Sequence, residues 1–265
     1  MIIAIGKTPN IRMRNLKLLL AYDGTEFSGW QIQPETTTIQ GTLASAIGRV
    51  TGERVLPQGS GRTDAGVHAL GQVATFAIQS PIPPENLVIA LNDVLPASIR
   101  VLEAAEVPAE FHARKSACAK TYRYTMFRGV ICPPFQARYV WHYPYPLDEA
   151  MMQQVAGCIV GEHDFTSFAA VDPEREREEG VSSVAQNVRQ IFCSSWQRKA
   201  DELVYTVCGS GFLHHMVRNL VGTFVLAGKG TLKPSDLPRI LAARSRSAAG
   251  ATAPASGLCL LSVDY

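Results

Sequence analysis

The sequence predicts an α+β protein made of two consecutive β-α-β-β-α-β units whose antiparallel sheets join and leave a cleft between them. Three observations predict this class. Short segments are apolar throughout or alternate apolar and polar residues, other segments repeat apolar residues at helical spacing, and the order of these segments occurs twice along the 265 residues. Two domains are expected at this length, since a single core rarely grows beyond about 250 residues.

The first unit begins with the apolar run LKLLLAYDG, from Leu16, which predicts a buried strand ended by a turn. Thr37 and Gln40 have the spacing of a capping box, so a helix is expected to begin there. Two strands are predicted next, over 54–56 and 72–78. A Pro-Pro pair then opens a second helix, and SIRVLEAAEV supplies the last strand of the unit.

The second unit repeats this order. TYRYTMF alternates like a strand, and Asp148 is expected to cap a helix that ends by Gly161. NVRQIFCSS and ELVYTVCG predict a hairpin, GFLHHMVRNLVGTFVLAGKG predicts a helix, and GLCLLSVDY predicts a final strand. Each unit therefore has the element order of a ferredoxin-like fold.

The predicted domains are an N-terminal ferredoxin-like domain over 13–112 and a C-terminal one over 113–265. Residues 1–12 are interpreted as a disordered extension or as a misassigned start before Met13. The charged segment PEREREEG, 173–180, is too polar to pack and predicts a solvated loop.

Composition limits the possible functions. The 25 Lys and Arg residues against 23 Asp and Glu give a net charge of +2, so a nucleic acid would need a local basic surface. No apolar run reaches the roughly 18 residues that span a bilayer, and the N-terminal residues lack the pattern of a secretory signal. We therefore expect a soluble, cytoplasmic protein without a membrane partner.

The six cysteines form no CxxC pair, and no histidine lies at zinc-ligand spacing from them. Reduced structural thiols are favoured over disulfides or zinc, and no metal is expected.

The segment GSGRTDAGVHALGQVATF, from Gly59, carries the first candidate for chemistry, Asp64. Its glycines allow close approach of another backbone or a ligand. Arg62 lies two residues away and, in an extended segment, would face the same side and hold Asp64 ionised. The alternatives are an ordinary Asp-containing turn and a surface ion pair. The segment matches neither the Walker pattern nor GxGxxG, which argues against nucleotide binding.

Arg218 is the second candidate, because apolar residues surround it in a predicted helix. A guanidinium there pairs with a carboxylate or phosphate, or extends to solvent; the pattern leaves both open. His214 and His215 are adjacent, so in a helix they would point to different faces and could not ligate one metal ion.

Tyr122 shares a strand face with Tyr124, where tyrosines serve either as core or as ligand contacts. The surrounding FHARKSACAKTYRY, from Phe111, interleaves cationic and aromatic residues, which is typical of an RNA-contacting surface. No serine or cysteine nucleophile with a base is visible in the sequence. A lone carboxylate nucleophile suits reactions at the C1 carbon of a sugar.

Seven motifs occur in an order that resembles the tRNA pseudouridine synthases of the TruA family, over Leu16 to Tyr265. They are YDGTEFSGWQIQP, GRTDAGVHALGQVATF, LNDVLP, FHARKSACAKTYRY, HDFTSF, GFLHHMVRNLVGTF and APASGLCLLSVDY. The resemblance implies two ferredoxin-like halves with the catalytic cleft between them. It implies isomerisation of uridine to pseudouridine at tRNA positions 38, 39 and 40, by a homodimer and with no cofactor.

The resemblance also implies roles for individual residues. Asp64 matches the catalytic aspartate, and Arg218 matches the arginine that pairs with it. Tyr122 matches the tyrosine that stacks on the target base and handles a proton, and Arg62 matches the arginine that fills the space of the flipped nucleotide. Whether Asp64 attacks C1′ to form an acylal or removes a proton on a route through a glycal is left open.

Two other functions are weighed against this one. A non-catalytic RNA-binding module of two RRM-like halves is disfavoured because KTYRYTMF lacks the glycine-aromatic signature of such modules. A glycoside hydrolase or N-glycosylase would need two carboxylates flanking the bond, and the Asp64 motif offers one.

Overall fold

The computed structural model describes residues 12–170 and 187–265, within which ten strands form one mixed sheet. The strands are β1 (Arg14–Tyr22), β2 (Gln58–Gly59), β3 (His68–Ile78), β4 (Ile99–Val107), β5 (Ala119–Phe127), β6 (Trp141–His142), β7 (Gly161–Asp164), β8 (Val188–Lys199), β9 (Glu202–Gly209) and β10 (Leu258–Asp264). Their order across the sheet is β4-β1-β3-β10-β5-β9-β8-β7, with β2 paired to β3 and β6 to β5. The α+β prediction is confirmed.

Five α-helices occur in the described ranges. They are α1 (Ile39–Thr51), α2 (Pro84–Val94), α3 (Glu149–Gly157), α4 (Met216–Gly228) and α5 (Leu237–Ala243). Asp148 caps α3 as predicted, accepting a hydrogen bond from the Met151 amide. The N-cap of α1 is Thr38, which accepts from the Gly41 amide, so the capping box predicted at Thr37 is displaced by one residue.

Most predicted strands are confirmed, including the antiparallel hairpin of β8 and β9. The strand predicted over 54–56 is wrong, since the chain first pairs with β3 at Gln58–Gly59. Pro57 has no amide hydrogen for a ladder bond, which explains why pairing begins only after it. Conversely, β3 starts at His68, four residues before the prediction.

The early start of β3 allows this strand to pair with the C-terminal strand β10. His68 and Ala69 pair in parallel with Cys259 and Leu260 of β10. Gly71 permits this approach, because a Cβ there would overlap the Leu261 carbonyl oxygen. The strands from the first 107 residues thereby continue into those from the remainder of the chain.

One cluster of buried apolar side chains runs through both parts of the structure. In β1 the alternate residues Leu16, Leu18 and Leu20 are fully buried, as expected for a strand with one face on the core. Helix α4 is buried along nearly its whole length. Its residue Gly222 lies against the backbone of Ala251, since a Cβ at Gly222 would overlap the Ala251 carbonyl oxygen.

Two interpretations fall outside the described ranges. They are the extension at 1–12, of which only Arg12 is described, and the charged loop at 173–180. None of the helices in 12–170 and 187–265 has the length and apolar character needed to span a membrane.

We predict that Gly222→Ala destabilises the fold by about 1–3 kcal/mol, because the added methyl group overpacks the contact between α4 and Ala251. Gly157→Ala is the matched control: a Cβ at this helical glycine meets no atom within 4 Å. It should be neutral or stabilising by up to about 1 kcal/mol. Urea unfolding of both variants measures the difference, and equal stability would contradict the packing of α4 described above.

Candidate active site

Asp64 lies in the loop between β2 and β3, which we call the Asp64 loop (residues 60–67). A buried polar network fixes the backbone of this loop. The Ser60 hydroxyl donates to Gln72 Oε1 at 2.6 Å, and Gln72 Nε2 donates to the Gly61 carbonyl at 2.9 Å. Thr63 Oγ1 shares a 2.8 Å hydrogen bond with the Tyr22 hydroxyl. Buried hydrogen bonds of this kind hold one loop conformation, because leaving any of the groups unpaired would be costly.

Close backbone packing holds the other side of the loop. The Thr63 carbonyl accepts from the Trp30 amide at 2.9 Å. Gly29, at φ +88°, comes so near that a Cβ there would lie 2.7 Å from that carbonyl oxygen. Gly66, at φ +77°, turns the chain back into β3. The glycines therefore serve the loop conformation, as the sequence indicated.

Asp64 and Arg218 make a direct ion pair between residues far apart in the sequence. Arg218 Nη1 donates to Asp64 Oδ2 at 2.8 Å, and both side chains are about 15% exposed. Arg218 Nε donates to the Ala253 carbonyl at 2.8 Å, which fixes the guanidinium plane. The sequence left a carboxylate, a phosphate and solvent open as surroundings for Arg218, and in the structure Arg218 contacts a carboxylate.

His214 and His215 both lie against Asp64, which corrects the expectation that they point to different faces. His214 Nε2 is 3.6 Å from Asp64 Oδ1, and His215 Nε2 is 3.4 Å from Oδ2. The expectation was wrong because α4 begins only at Met216, and His215 adopts a left-handed conformation with φ +59°. The two rings therefore lie against each other, with centroids 4.0 Å apart and ring planes tilted by 42°.

The charges around His215 favour its neutral form. Burial lowers the pKa of His215, and the nearby Arg218 and Arg246 guanidinium groups lower it further, while Asp64 acts in the opposite direction. Among the described residues, Asp64, His214 and His215 form the group that could hold a metal ion, with their ligand atoms all within 4.8 Å of one another.

Arg62 contacts Gln31 at the start of the Asp64 loop. Its Nε donates to Gln31 Oε1 at 3.2 Å, whereas Asp64 contacts Arg218. Residues 62–64 belong to a loop rather than a strand, so strand alternation does not determine which side Arg62 faces. Arg62 is half-buried at the start of the same loop.

Tyr122 lies on β5 and is 7% exposed. Its ring packs edge-to-face against Phe212, with centroids 5.1 Å apart. Burial raises the pKa of Tyr122, and the nearby charge of Asp64 adds to the shift. The hydroxyl therefore keeps its proton at neutral pH.

Lys120, which the sequence showed only as part of a cationic run, is hydrogen-bonded to the Asp64 loop. Its Nζ donates to the Ser60 carbonyl at 2.6 Å. Burial lowers the pKa of Lys120 to about 8, and the charges of Arg114 and Arg189 lower it further. Two arginine charges therefore act on a lysine that is hydrogen-bonded to the loop.

His68 is a structural residue. The Gly24 amide donates to its Nδ1 at 3.1 Å, and its Nε2 lies 3.0 Å from the Arg138 carbonyl. A neutral ring with its proton on Nε2 satisfies both contacts. Burial lowers the pKa of His68, while the Asp23 carboxylate, 3.2 Å from Nδ1, acts in the opposite direction. The neighbouring Asp23 joins this cluster: burial alone would raise its pKa, but hydrogen bonds, chiefly from Thr25, lower it to about 2.

Comparison with known proteins identifies relatives of the whole chain. A family model described as tRNA pseudouridine synthase matches residues 19–114 and 156–265, well over half of the sequence. A protein named tRNA pseudouridine synthase A from Solibacter usitatus is 54% identical over 96% of this chain and 100% of its own length. Proteins of the same name from Moorella thermoacetica and Brevibacillus brevis are 49% and 46% identical. The first match covers 94% of this chain and 99% of the relative, and the second covers 96% and 100%.

We predict that Lys120 makes stability rise with pH in the alkaline range. Its pKa is about 8 in the fold and 10.5 in an ordinary lysine, so between these values the unfolded chain binds more protons and the unfolding free energy increases. Solvent reaches part of the side chain, so we expect a gain of about 1–2 kcal/mol between pH 8 and 10.

Lys120→Met should remove this gain, while Lys115→Met, at an exposed position, should retain it. Denaturant unfolding of the three proteins at several pH values measures the slopes. A Lys120→Met protein with the wild-type slope would contradict a lowered pKa for Lys120.

Proposed function

The chain belongs to the tRNA pseudouridine synthase family, and we propose that it isomerises uridine to pseudouridine at positions 38, 39 and 40 in the anticodon stem-loop of tRNA. As a member of this family it is an enzyme, an isomerase. One observation carries the assignment of the site: the Asp64 carboxylate, held at 2.8 Å by Arg218 in a fixed, glycine-rich loop.

The proposed reaction exchanges a C–N bond for a C–C bond. The bond from C1′ to N1 of uracil breaks, the base turns, C5 bonds to C1′, and the proton on C5 is released while N1 gains one. Atoms and electrons balance within the nucleotide, so the reaction consumes no cosubstrate and we propose that it uses no cofactor.

Asp64 takes part at the sugar by one of two routes. A carboxylate oxygen attacks C1′ and forms an acylal, which C5 then displaces, or the carboxylate removes a sugar proton and a glycal forms. Both routes need a carboxylate oriented toward the sugar, and positive charge develops at C1′ in both. The Arg218 contact holds Oδ2 of Asp64, and we assign this task to Oδ1, which lies 3.6 Å from His214 Nε2.

Tyr122 is proposed to stack on the displaced uracil and to pass on a proton. The raised pKa of its hydroxyl argues against a preformed phenolate base, so the group would donate its own proton as it receives another. Its contact with Phe212 holds the ring at one angle, which supports a stacking role.

Arg62 is proposed to occupy the space that the target nucleotide vacates when it flips out of the stack. Flipping costs a few kcal/mol, least where the base is already in a loop. Arg62 lies two residues from Asp64 in the same loop, and its Nε donates a hydrogen bond to Gln31 Oε1 at 3.2 Å.

The cations near Lys120 are proposed to bind the tRNA backbone. The charges of Arg114 and Arg189 act on Lys120, and a phosphate bound beside Lys120 would offset that repulsion. Their position beside the Asp64 loop would bring the anticodon stem-loop to the carboxylate.

We further propose that the chain consists of two ferredoxin-like domains, 13–112 and 113–265, with the catalytic cleft between them. The strand orders β4-β1-β3-β2 and β10-β5-β9-β8 support this division, because each corresponds to the order 4-1-3-2 of a β-α-β-β-α-β unit. Asp64 comes from the first of these domains and Arg218 from the second.

The runner-up is a non-catalytic RNA-binding module, which the same cations would also serve. The relatives that match over nearly their whole length are named as synthases, which favours the enzyme. Tritium release from tRNA labelled at C5 of uridine separates the two, and free uracil in the products would indicate an N-glycosylase instead. Because tRNA is the substrate, we propose that the enzyme acts in the cytoplasm.

A homodimer is proposed as the active form, and exposed apolar side chains before β6 support it. Val130, Ile131 and Phe135 are 85%, 83% and 92% exposed, and such groups commonly mark an interface. Light scattering should give a dimer for the wild type and a monomer for Ile131→Asp/Phe135→Asp. A monomeric wild type would contradict the dimer, and a dimeric double variant would place the interface elsewhere.

We predict that Asp64→Asn lowers pseudouridine formation on the order of 10³-fold or more, because it removes the negative charge and the attacking oxygen but keeps the shape. Binding of tRNA should change less than about threefold, since the phosphate contacts remain. Tritium release and primer-extension mapping after carbodiimide treatment measure the first quantity, and filter binding measures the second.

Asp93→Asn is the matched control, because Asp93 is an exposed carboxylate on α2. It should retain wild-type activity. If Asp64→Asn is folded and still active, the proposed role of Asp64 fails.

A further inference from the structure

The carboxylate of Asp64 and the imidazoles of His214 and His215 form a ligand set of a kind that binds transition metals. Their ligand atoms lie within 4.8 Å of one another. A carboxylate and two imidazoles are borderline donors, which suit Zn²⁺, Co²⁺ and Ni²⁺ and do not suit Mg²⁺. Neither the family name nor the proposed reaction calls for a metal here.

The distances are close to those around a tetrahedral ion. Zinc bonds of about 2.0–2.1 Å place tetrahedral ligands roughly 3.3–3.4 Å apart. In the structure, Asp64 Oδ1 is 3.6 Å from His214 Nε2, and Asp64 Oδ2 is 3.4 Å from His215 Nε2. An ion bound through Oδ1 would therefore need the His215 ring to turn toward that oxygen, and it would keep one coordination position for water.

The backbone holds the two histidines in this arrangement. His215 has φ +59°, and its carbonyl accepts from the Asn219 amide at 2.9 Å. The His214 carbonyl accepts from the Ala170 amide at 3.0 Å. The side chains of His214, His215 and Asp64 are 34%, 28% and 16% exposed, so an ion can reach them from solvent.

Arg218 opposes metal binding without preventing it. Its guanidinium contacts Oδ2 of Asp64 and contributes a positive charge near the ion. Oδ1 points to His214 and stays available as the metal ligand. Binding should therefore be weaker than in a structural zinc site and reversible by a chelator.

We propose that a divalent transition-metal ion binds at Asp64, His214 and His215 and inhibits the enzyme by occupying the catalytic carboxylate. The binding part stands on the ligand geometry alone, and the inhibition part rests on the proposed function. Metal and tRNA compete for the site, because both require the same oxygen of Asp64.

Calorimetric titration of the full chain with Zn²⁺ tests the binding part. His214→Gln and His215→Asn should each weaken one zinc site at least tenfold, and asparagine is chosen at 215 because it tolerates positive φ. His142→Gln, at an exposed histidine on β6, is the control and should bind like the wild type. Zinc binding by cysteine thiols is the same in all four proteins, so it does not contribute to the difference in zinc affinity between them. Equal zinc affinity in the wild type and both variants, all shown to be folded by circular dichroism, would overturn the site.

Tritium release at fixed free Zn²⁺ and excess Mg²⁺ tests the inhibition part. The wild type should lose activity with zinc, recover it with more tRNA or with a chelator, and be unaffected by Mg²⁺ alone. Zinc bound at the site without loss of activity would overturn the inhibition. If Asp64→Asn stayed active without metal, the proposed function would fail while the binding result stood.

Discussion

The contact between Asp64 and Arg218 is the interaction on which the rest of the site depends. It joins residues 154 positions apart, one from the loop before β3 and one from helix α4. Both side chains are largely buried, and removing either partner would leave an uncompensated charge in the fold. The fold must therefore hold the Asp64 loop and helix α4 next to each other.

Packing and hydrogen bonds fix the two partners independently. The network of Ser60, Gln72 and Tyr22 sets the loop, with Lys120 attached from β5. The close approach of Gly222 to Ala251 sets the helix. The parallel pairing of β3 with β10 brings the two regions of the chain together.

Sequence patterns identified the residues of this site better than they identified the contacts between those residues. Asp64 was indicated by its glycines and Arg218 by the apolar residues around it, but a pair so distant in sequence depends on tertiary packing that no local pattern contains. The direction of the His215 side chain was predicted wrongly because apolar periodicity does not show where a helix begins. The helix begins only at Met216, and the positive φ of His215 turns both histidines toward Asp64. The long strands and helices were predicted well because their apolar periods are regular, whereas the two-residue strand β2 is too short to have one. The domain boundary at residue 112 remains a prediction.

The most direct test of the account is a crystal structure of the Asp64→Asn chain with an anticodon stem-loop that carries uridine at position 39. The account predicts that this uridine is flipped out, with C1′ beside residue 64, the base on Tyr122, and Arg62 in the space it left. A uridine still stacked in the stem, or bound away from residue 64, would contradict the account.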